Sequence, residues 1–406
     1  MPNNAFENSG TSSRVQEYFS ERKPSWNIAI VWELFRQVIG FGKMPMPRIV
    51  VRHFESQIQN EWPVGENRNS GYANERPKIA KDAELSCYTE INCKLYCHYA
   101  WANRLANLYA DKYQSAYILA YLLIALAIFI ALLPVGSNSN GSLAATCIAV
   151  DFFILVLVFC VARWCRVRHW HDRWLEYLLL AELIRQLRFL APLSGVRPLP
   201  SIPAHIAIYG DPTQTWMYWH MRALGRQMGI PNAKVTSSYV ADCLESLAGI
   251  VGSKHAGQWG HHIASERLSS RIDRRLNSAS FILLAAAIVA VVSRLSMQFM
   301  PDGMNLVPIE TDRWFVLLSA TLPALGAALA GINSQGQFAR FAKRSAVMAN
   351  GFEKYALKIN SLRKKVEIVG VTIKLSDVIP LSTKIAETMV QDVADWRASP
   401  FFMDRP

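Results

Sequence analysis

The sequence predicts an all-α membrane protein with four transmembrane helices in two hairpins, and three observations predict it. Four apolar runs of span length fall into two pairs joined by short polar connections. Lys and Arg avoid those connections and crowd the opposite ends of the runs, and neither Gly nor Pro interrupts long stretches beside them. The composition agrees: 51% of the 406 residues are hydrophobic and 18% charged, too apolar for an ordinary soluble chain and incompatible with disorder or collagen.

The first run, 115–135, reads SAYILAYLLIALAIFIALLPV and carries no charge. A hydrocarbon core about 30 Å thick needs about 20 such residues in a helix. The second, 143–162, contains one charge, Asp151, and follows the turn VGSNSNGS. The third, 278–300, carries Arg294 late in the run, and the fourth, 314–332, is uncharged. Buried helices of soluble proteins are usually shorter and show a polar face, so four such runs in two pairs point to lipid.

Positive residues remain on the cytoplasmic side of a membrane. The 135–142 turn has none, and the 300–312 turn has none beside Asp302, Glu310 and Asp312; Arg313 at the start of the fourth run is a mild exception. Opposite them stand Arg163, Arg166, Arg168 and Arg173, then Arg267, Arg271, Arg274 and Arg275, then Arg340, Lys343 and Arg344. Both termini are therefore expected in the cytoplasm of a multi-pass inner-membrane protein. Topology and anionic headgroups account for most of the net charge of +12, which weakens any nucleic-acid reading. Residues 1–25 are polar, so no secretory signal peptide is expected.

Helices should continue beyond the apolar runs. Gly and Pro are absent from Tyr88 to Leu133, from Ala144 to Ala191 and from His261 to Met300. The second of these would be one helix about 70 Å long, about 40 Å of it a cytosolic stalk. Leu175, Leu178, Leu179, Leu183 and Leu187 share a face there, up to Pro192. The fourth run differs: Pro323, Gly326, Gly331 and Gly336 mark its exit as the place for a bend.

Five regions follow. Residues 1–86 read as partly irregular around a strand-like run, Pro47–Phe54. Residues 87–191 form the first hairpin with its extensions, and 192–260 a linker with a Pro-rich turn, Arg197–Pro203, and helices near Thr215–Met228 and Ser237–Val251. Residues 261–365 form the second hairpin. The tail, 366–406, offers a short apolar alternation and a helix from Ser382 to Trp396 with Ser382 as its cap.

Catalytic signatures are missing: no phosphate-binding Gly-rich Lys loop, dinucleotide fingerprint, HExxH or nucleophile elbow occurs. A non-enzymatic role is expected, with no cofactor and no metal. Cys93 and Cys97, followed by His98, have a spacing that could ligate a metal, but no second Cys pair completes a tetrahedral site, so packing is the favoured role. The seven Cys form no disulfide framework. His169 with His171, and His261 with His262, diverge on their helices and read as interfacial or surface groups.

Asp151 and Arg294 lie at matching depths, roughly 10 Å below the outer surface at helical rise. Intramembrane charges usually face a partner, the bundle interior or water. Either they pair across the two hairpins or line a polar vestibule, or Arg294 snorkels outward while Asp151 hydrates. On the fourth run Ala320, Ala324, Ala327, Ala328 and Gly331 form a stripe of small residues for close helix packing, within one bundle or between subunits.

Several stretches resemble the SLATT-type membrane effectors that accompany SLOG nucleotide-sensing domains in bacterial conflict systems. They are HYAWANRLANLYADKYQSAYILAYLLIALAIFIALL at 98–133, RWLEYLLLAELIRQLRFLAPL at 173–193 and LPALGAALAGINSQGQFARFAKRSAVM at 322–348. QWGHHIASERLSSRIDRRL at 258–276 and IAETMVQDVADWR at 385–397 add weaker similarity. The resemblance implies a helical module that forms a pore or perturbs the membrane when a nucleotide is sensed, and the small-residue stripe leaves a homo-oligomer open. Larger relatives carry a SLOG-like domain ahead of the first span. Here no Gly-rich nucleotide loop precedes it, so sensing would need a separate SLOG-type partner protein or be lost. Two other classes compete: a small-solute or ion transporter, which would need broken helices and a midplane site, and a membrane-bound enzyme using the interfacial histidines.

Overall fold

The computed structural model describes residues 13–21, 30–40, 84–137, 141–193, 215–229, 235–255, 257–299, 309–369 and 373–397. These residues are helical almost throughout, with no strand among them. The expected strand-like run Pro47–Phe54 and the Pro-rich turn Arg197–Pro203 lie outside them.

Two short helices come first, α1 (13–20) and α2 (Ile30–Gly40). Then follow α3 (Glu84–Ser137), α4 (Gly141–Val167), α5 (Trp170–Leu190), α6 (Trp216–Met228) and α7 (Ser237–Val251). The last four are α8 (Gly257–Gln298), α9 (Ile309–Gly336), α10 (Phe338–Val369) and α11 (Leu375–Arg397). Four stretches are long and apolar enough to cross a membrane, within α3, α4, α8 and α9, which makes this a multi-pass membrane protein by length and composition.

The apolar stretches stand in a row. α3 packs against α4 on one side and α9 on the other, and α9 packs in turn against α8, giving the order α4–α3–α9–α8. Burial follows that order: 22% of the most apolar stretch of α3 and of α9 is buried, against 17% for α8 and 11% for α4 at the ends. Along α4 only Cys147 and Ile154 are buried, while Phe152, Phe153 and Phe159 are exposed.

Beyond the basic ends of these stretches, the helices gather into two apolar clusters. In the first, Leu95, Tyr99, Ala102, Ala106 and Tyr109 recur every three or four residues on α3, and so form one stripe. It meets Tyr177, Leu180 and Ile184 of α5, with Trp216, Met217 and Met221 of α6 closing the side. The second cluster joins Phe189 and Leu190 at the end of α5 to Leu244 and Leu247 of α7, Phe352 and Ile359 of α10, and Ile385 and Met389 of α11. Helix α5 is thus buried nearly all round, which explains why its Leu-rich face continues onto Tyr177, Leu180 and Ile184.

Each pair of apolar helices shows one pattern. The leading helix, α3 or α8, runs unbroken from cluster to apolar stretch, whereas the returning chain breaks at a left-handed residue and packs back as α5 on α3 or α10 on α8. The first break corrects the single long helix expected over 144–191. Arg168 and His169 form a turn, with φ 49° at His169, and no Gly or Pro announces it. Packing of α5 across α3 sets that turn. The second break falls at Gln337, φ 48°, directly after Gly336, while Pro323 and Gly331 lie inside continuous α9.

The carboxyl-terminal helix also departs from expectation. Helix α11 starts at Leu375 and continues through Pro380, so Ser382 is no cap: it is fully buried and its Oγ donates to the Val378 carbonyl at 2.6 Å. The start is closed instead by Asp377, whose carboxylate accepts the Lys374 N–H at 3.2 Å. Residues 366–369, expected in an apolar alternation, complete α10.

A non-Gly residue in the left-handed region costs about 1–2 kcal/mol. Gln337→Gly should therefore leave the thermal midpoint of the detergent-solubilised protein unchanged or slightly raised. The β-branched Gln337→Val should lower it, as followed by the helical circular-dichroism signal.

Candidate functional site

The densest polar chemistry among the described residues sits where the basic ends of the apolar helices meet α1 and α2. Its centre is Arg173, in the first turns of α5. Its Nη1 donates to Glu21 Oε1 at 2.7 Å and its Nη2 to Glu17 Oε2 at 3.1 Å, so one guanidinium holds both carboxylates at the end of α1. Tyr109 of α3 donates to the same Glu21 oxygen at 2.6 Å, and Tyr177 of α5 does so at 3.3 Å. Burial, then the hydrogen bond to Glu21 and its charge, push the Tyr109 hydroxyl up to about 12, so it remains a donor at any physiological pH. Lys112 stands 5.1 Å from the centre of the Tyr109 ring, and burial lowers its pKa.

Helix α1 is also clamped by rings. Tyr18 packs on Tyr177, Trp216 and His220 with centroids 5.2–5.7 Å away. His220 of α6 faces His98 of α3 at 5.9 Å, and burial lowers the pKa of both imidazoles.

Helix α2 bridges two leading helices. Its Trp32 N–H donates to Ser115 Oγ on α3 at 3.1 Å, and Arg275 of α8 donates to the Ile39 carbonyl at its other end. Trp32 also stacks nearly parallel on Phe338 at the start of α10, at 6.3 Å. Beside it, Asn333 of α9 donates to Asp273 Oδ1 and Asn277 Oδ1 of α8, both at 2.9 Å, and Gln335 donates to the Tyr113 hydroxyl of α3 at 2.6 Å. These amides bolt α9 to both leading helices immediately before the break at Gln337.

The residues singled out in the sequence are distributed differently. No ion pair joins Asp151 to Arg294 among the described residues. Asp151 lies toward the side of α4 that carries Cys147 and Ile154 and faces α3, whereas Arg294 lies on the side of α8 that carries Ala287 and Ala290 and faces α9. Each charge is therefore turned toward the neighbour within its own pair. The small-residue stripe splits: Ala328 is buried, Ala324 half-buried, and Ala320 and Ala327 exposed. Gly331 is where the approach is closest, since a Cβ there would collide with the Tyr121 ring of α3, its Cδ1 lying 2.9 Å away.

Cys97 is exposed, the side chain of Cys93 lies outside the described residues, and no group of three metal-ligating side chains occurs among the described residues. His169 forms the first break, and His171 beside it touches Tyr113 and Asp172. The surface reading fails for His262. It is stacked on Phe352 at 5.4 Å and 15° between α8 and α10, and burial first, then the charge of His261, push its pKa down to about 4.

Sequence reasoning missed α1 and α2. Helix α2 had left a signal, the spacing Val31, Phe35, Ile39 beside Ile30, Leu34, Val38, with Glu33, Arg36 and Gln37 opposite. The eight residues of α1 are too few for such a pattern. No protein-family model, curated protein or solved structure matches this chain.

Arg173→Met would leave the Glu21 carboxylate against two hydroxyls without its cation. A loss of about 2 kcal/mol, the scale of hydrogen bonds to charged groups, should speed amide exchange in residues 13–21 about thirtyfold, read by hydrogen-exchange mass spectrometry.

Acid gives a second test. The folded protein resists protonating His262 while the unfolded chain accepts the proton near the usual 6.5, so stability should fall as pH drops from about 6.5 to about 4, by up to about 1.4 kcal/mol per unit. His262→Phe should flatten that limb of thermal midpoint against pH.

Proposed function

We propose that this chain is a non-enzymatic bacterial membrane effector that assembles with copies of itself and perturbs or perforates the inner membrane. In this reading both termini and the two apolar clusters are cytoplasmic, each pair α3–α4 and α8–α9 is a transmembrane hairpin, and the clusters form a helical stalk. A cytosolic event, delivered by a separate SLOG-type nucleotide-sensing partner, loosens or tightens the clusters, and α3 and α8 carry the movement into lipid.

The observation that carries the reading is the row α4–α3–α9–α8. The leading helix of the first pair packs on the returning helix of the second, while the reciprocal pair, α8 with α4, does not pack comparably. The two ends of the row therefore present different helices, α8 and α4, so a contact between copies made through them would be head-to-tail, and head-to-tail contacts close into rings or continue as open arrays. The faces at the ends of the row, Phe152, Phe153 and Phe159 on α4 and Phe281, Ile288 and Val289 on α8, are the ones such an array would join. Support for the triggered role comes from α3, whose 54 residues make one rod about 80 Å long at helical rise. The resemblance of 98–133, 173–193 and 322–348 to SLATT-type effectors supports the biological setting.

Expression in bacteria loaded with a potential-sensitive dye should depolarise the cells when the protein is activated. Paired Phe153→Cys and Ile288→Cys variants should give a ladder of disulfide-linked multimers in membranes. A chain that stays monomeric in membranes and leaves the potential untouched under every condition would overturn the proposal.

A further inference from the structure

Around the axis of α2 the side chains fall into three sectors that differ in polarity and burial. Val31, Trp32, Phe35 and Ile39 face the protein, packed with Ile118 of α3, Ile272 and Leu276 of α8, and Ile332 and Phe338 of α9 and α10. Glu33, Arg36 and Gln37 share a polar sector, in which Arg36 and Glu33 pair at 2.9 Å. The third sector is Ile30, Leu34 and Val38, one turn apart, apolar, and exposed by 44%, 49% and 71%. The polar sector is tucked toward the protein, with the Glu33 and Arg36 side chains only 13% and 32% exposed, so the face that α2 turns outward is apolar, the reverse of a helix resting on a protein in water.

The level of α2 identifies what that face meets. Ile118 lies at the start of the first apolar run, Leu276 just before the third, and Ile332 at the end of the fourth. Helix α2 therefore lies across the basic ends of three apolar helices, which in the disposition proposed above is the depth of headgroups and upper acyl chains. A charged stripe flanks it: Arg267, Arg271 and Arg274 of α8 are all exposed and share one face, about 130° round from the Leu268, Ile272 and Leu276 stripe on which α2 packs. Cations beside an apolar stripe match an anionic leaflet.

We infer that α2 is an in-plane anchor whose Ile30, Leu34 and Val38 sector lies in the acyl boundary of an anionic cytoplasmic leaflet, with Arg267, Arg271 and Arg274 on the headgroups. This rests on the membrane disposition proposed above. Because α2 is tied at one end to Ser115 of α3 and at the other to Arg275 of α8, the leaflet becomes a ligand of the strap that joins the two leading helices. Lipid charge and packing would then bias how those helices sit relative to one another.

The test needs no substitution in α2. The full chain is placed in nanodiscs of phosphatidylglycerol or of phosphatidylcholine containing a lipid with a photoreactive diazirine near the top of its acyl chain, and adducts are mapped by mass spectrometry. The expected result is adducts on Ile30, Leu34 and Val38 at least fivefold above those on Glu33, Arg36 and Gln37. They should fall at least twofold in the zwitterionic discs, and the Arg271→Gln/Arg274→Gln double variant should erase that difference. Phe152 and Phe281 serve as internal references for the membrane reading itself. Adducts on those two with none on α2, and α2 labelled instead by a water-soluble carbene reagent, would overturn the anchor and leave the membrane disposition standing. Adducts on neither would overturn both, and equal α2 labelling in the two lipids would overturn the anionic preference.

Discussion

The backbone of α3 and of α8 is hydrogen-bonded without a break from the apolar clusters into the stretches that can cross a membrane. A helix interior has no free donors or acceptors, so it can pass from water to lipid without exposing polar backbone. Everything else is arranged around these two rods. The returning chains must change direction at the boundary, and each does so by a single left-handed residue, His169 or Gln337, before packing back on the rod that preceded it. The architecture thus repeats although the residues do not.

Polar groups concentrate at the level where the rods leave the apolar stretches. Arg173 gathers Glu17 and Glu21 there, Asn333 bridges to Asp273 and Asn277, and Gln335 reaches Tyr113. At a half-buried boundary such bonds are screened less than on an open surface, and removing one partner strands the other. Side chains that would contribute little in water therefore fix the angle between helices. The two amino-terminal helices matter because they supply half of this chemistry, the carboxylates from α1 and the bridge from α2.

The row of apolar helices has a further consequence. In lipid no hydrophobic force closes four helices into a bundle, because lipid chains are as apolar as the side chains they replace. A row is stable where small residues permit close approach, as at Gly331 against Tyr121, and where amides bridge, as at Asn333. Its end faces, rich in Phe on α4 and in Ile and Val on α8, satisfy lipid and a second copy equally well in chemical terms.

The four stretches long and apolar enough to cross a membrane, the continuity of α3 and α8, the Leu face of α5 and the helices near 216–228 and 237–251 were legible in the sequence, because length, composition and helical period are properties of a segment by itself. The break at His169 was not, since no Gly or Pro stands there and the turn arises from how α5 crosses α3. Ser382 misled for a related reason: a serine after a proline reads as a cap, but α11 runs through Pro380 and the serine bonds back to Val378. His262 looked like a surface group until α10 covered it with Phe352. Local sequence thus determined which segments are helical and which apolar. Only the tertiary structure decided which helices touch, where Asp151 and Arg294 face, and that Arg173 and α2 tie the ends of the rods together, because those outcomes depend on contacts between residues far apart in the chain.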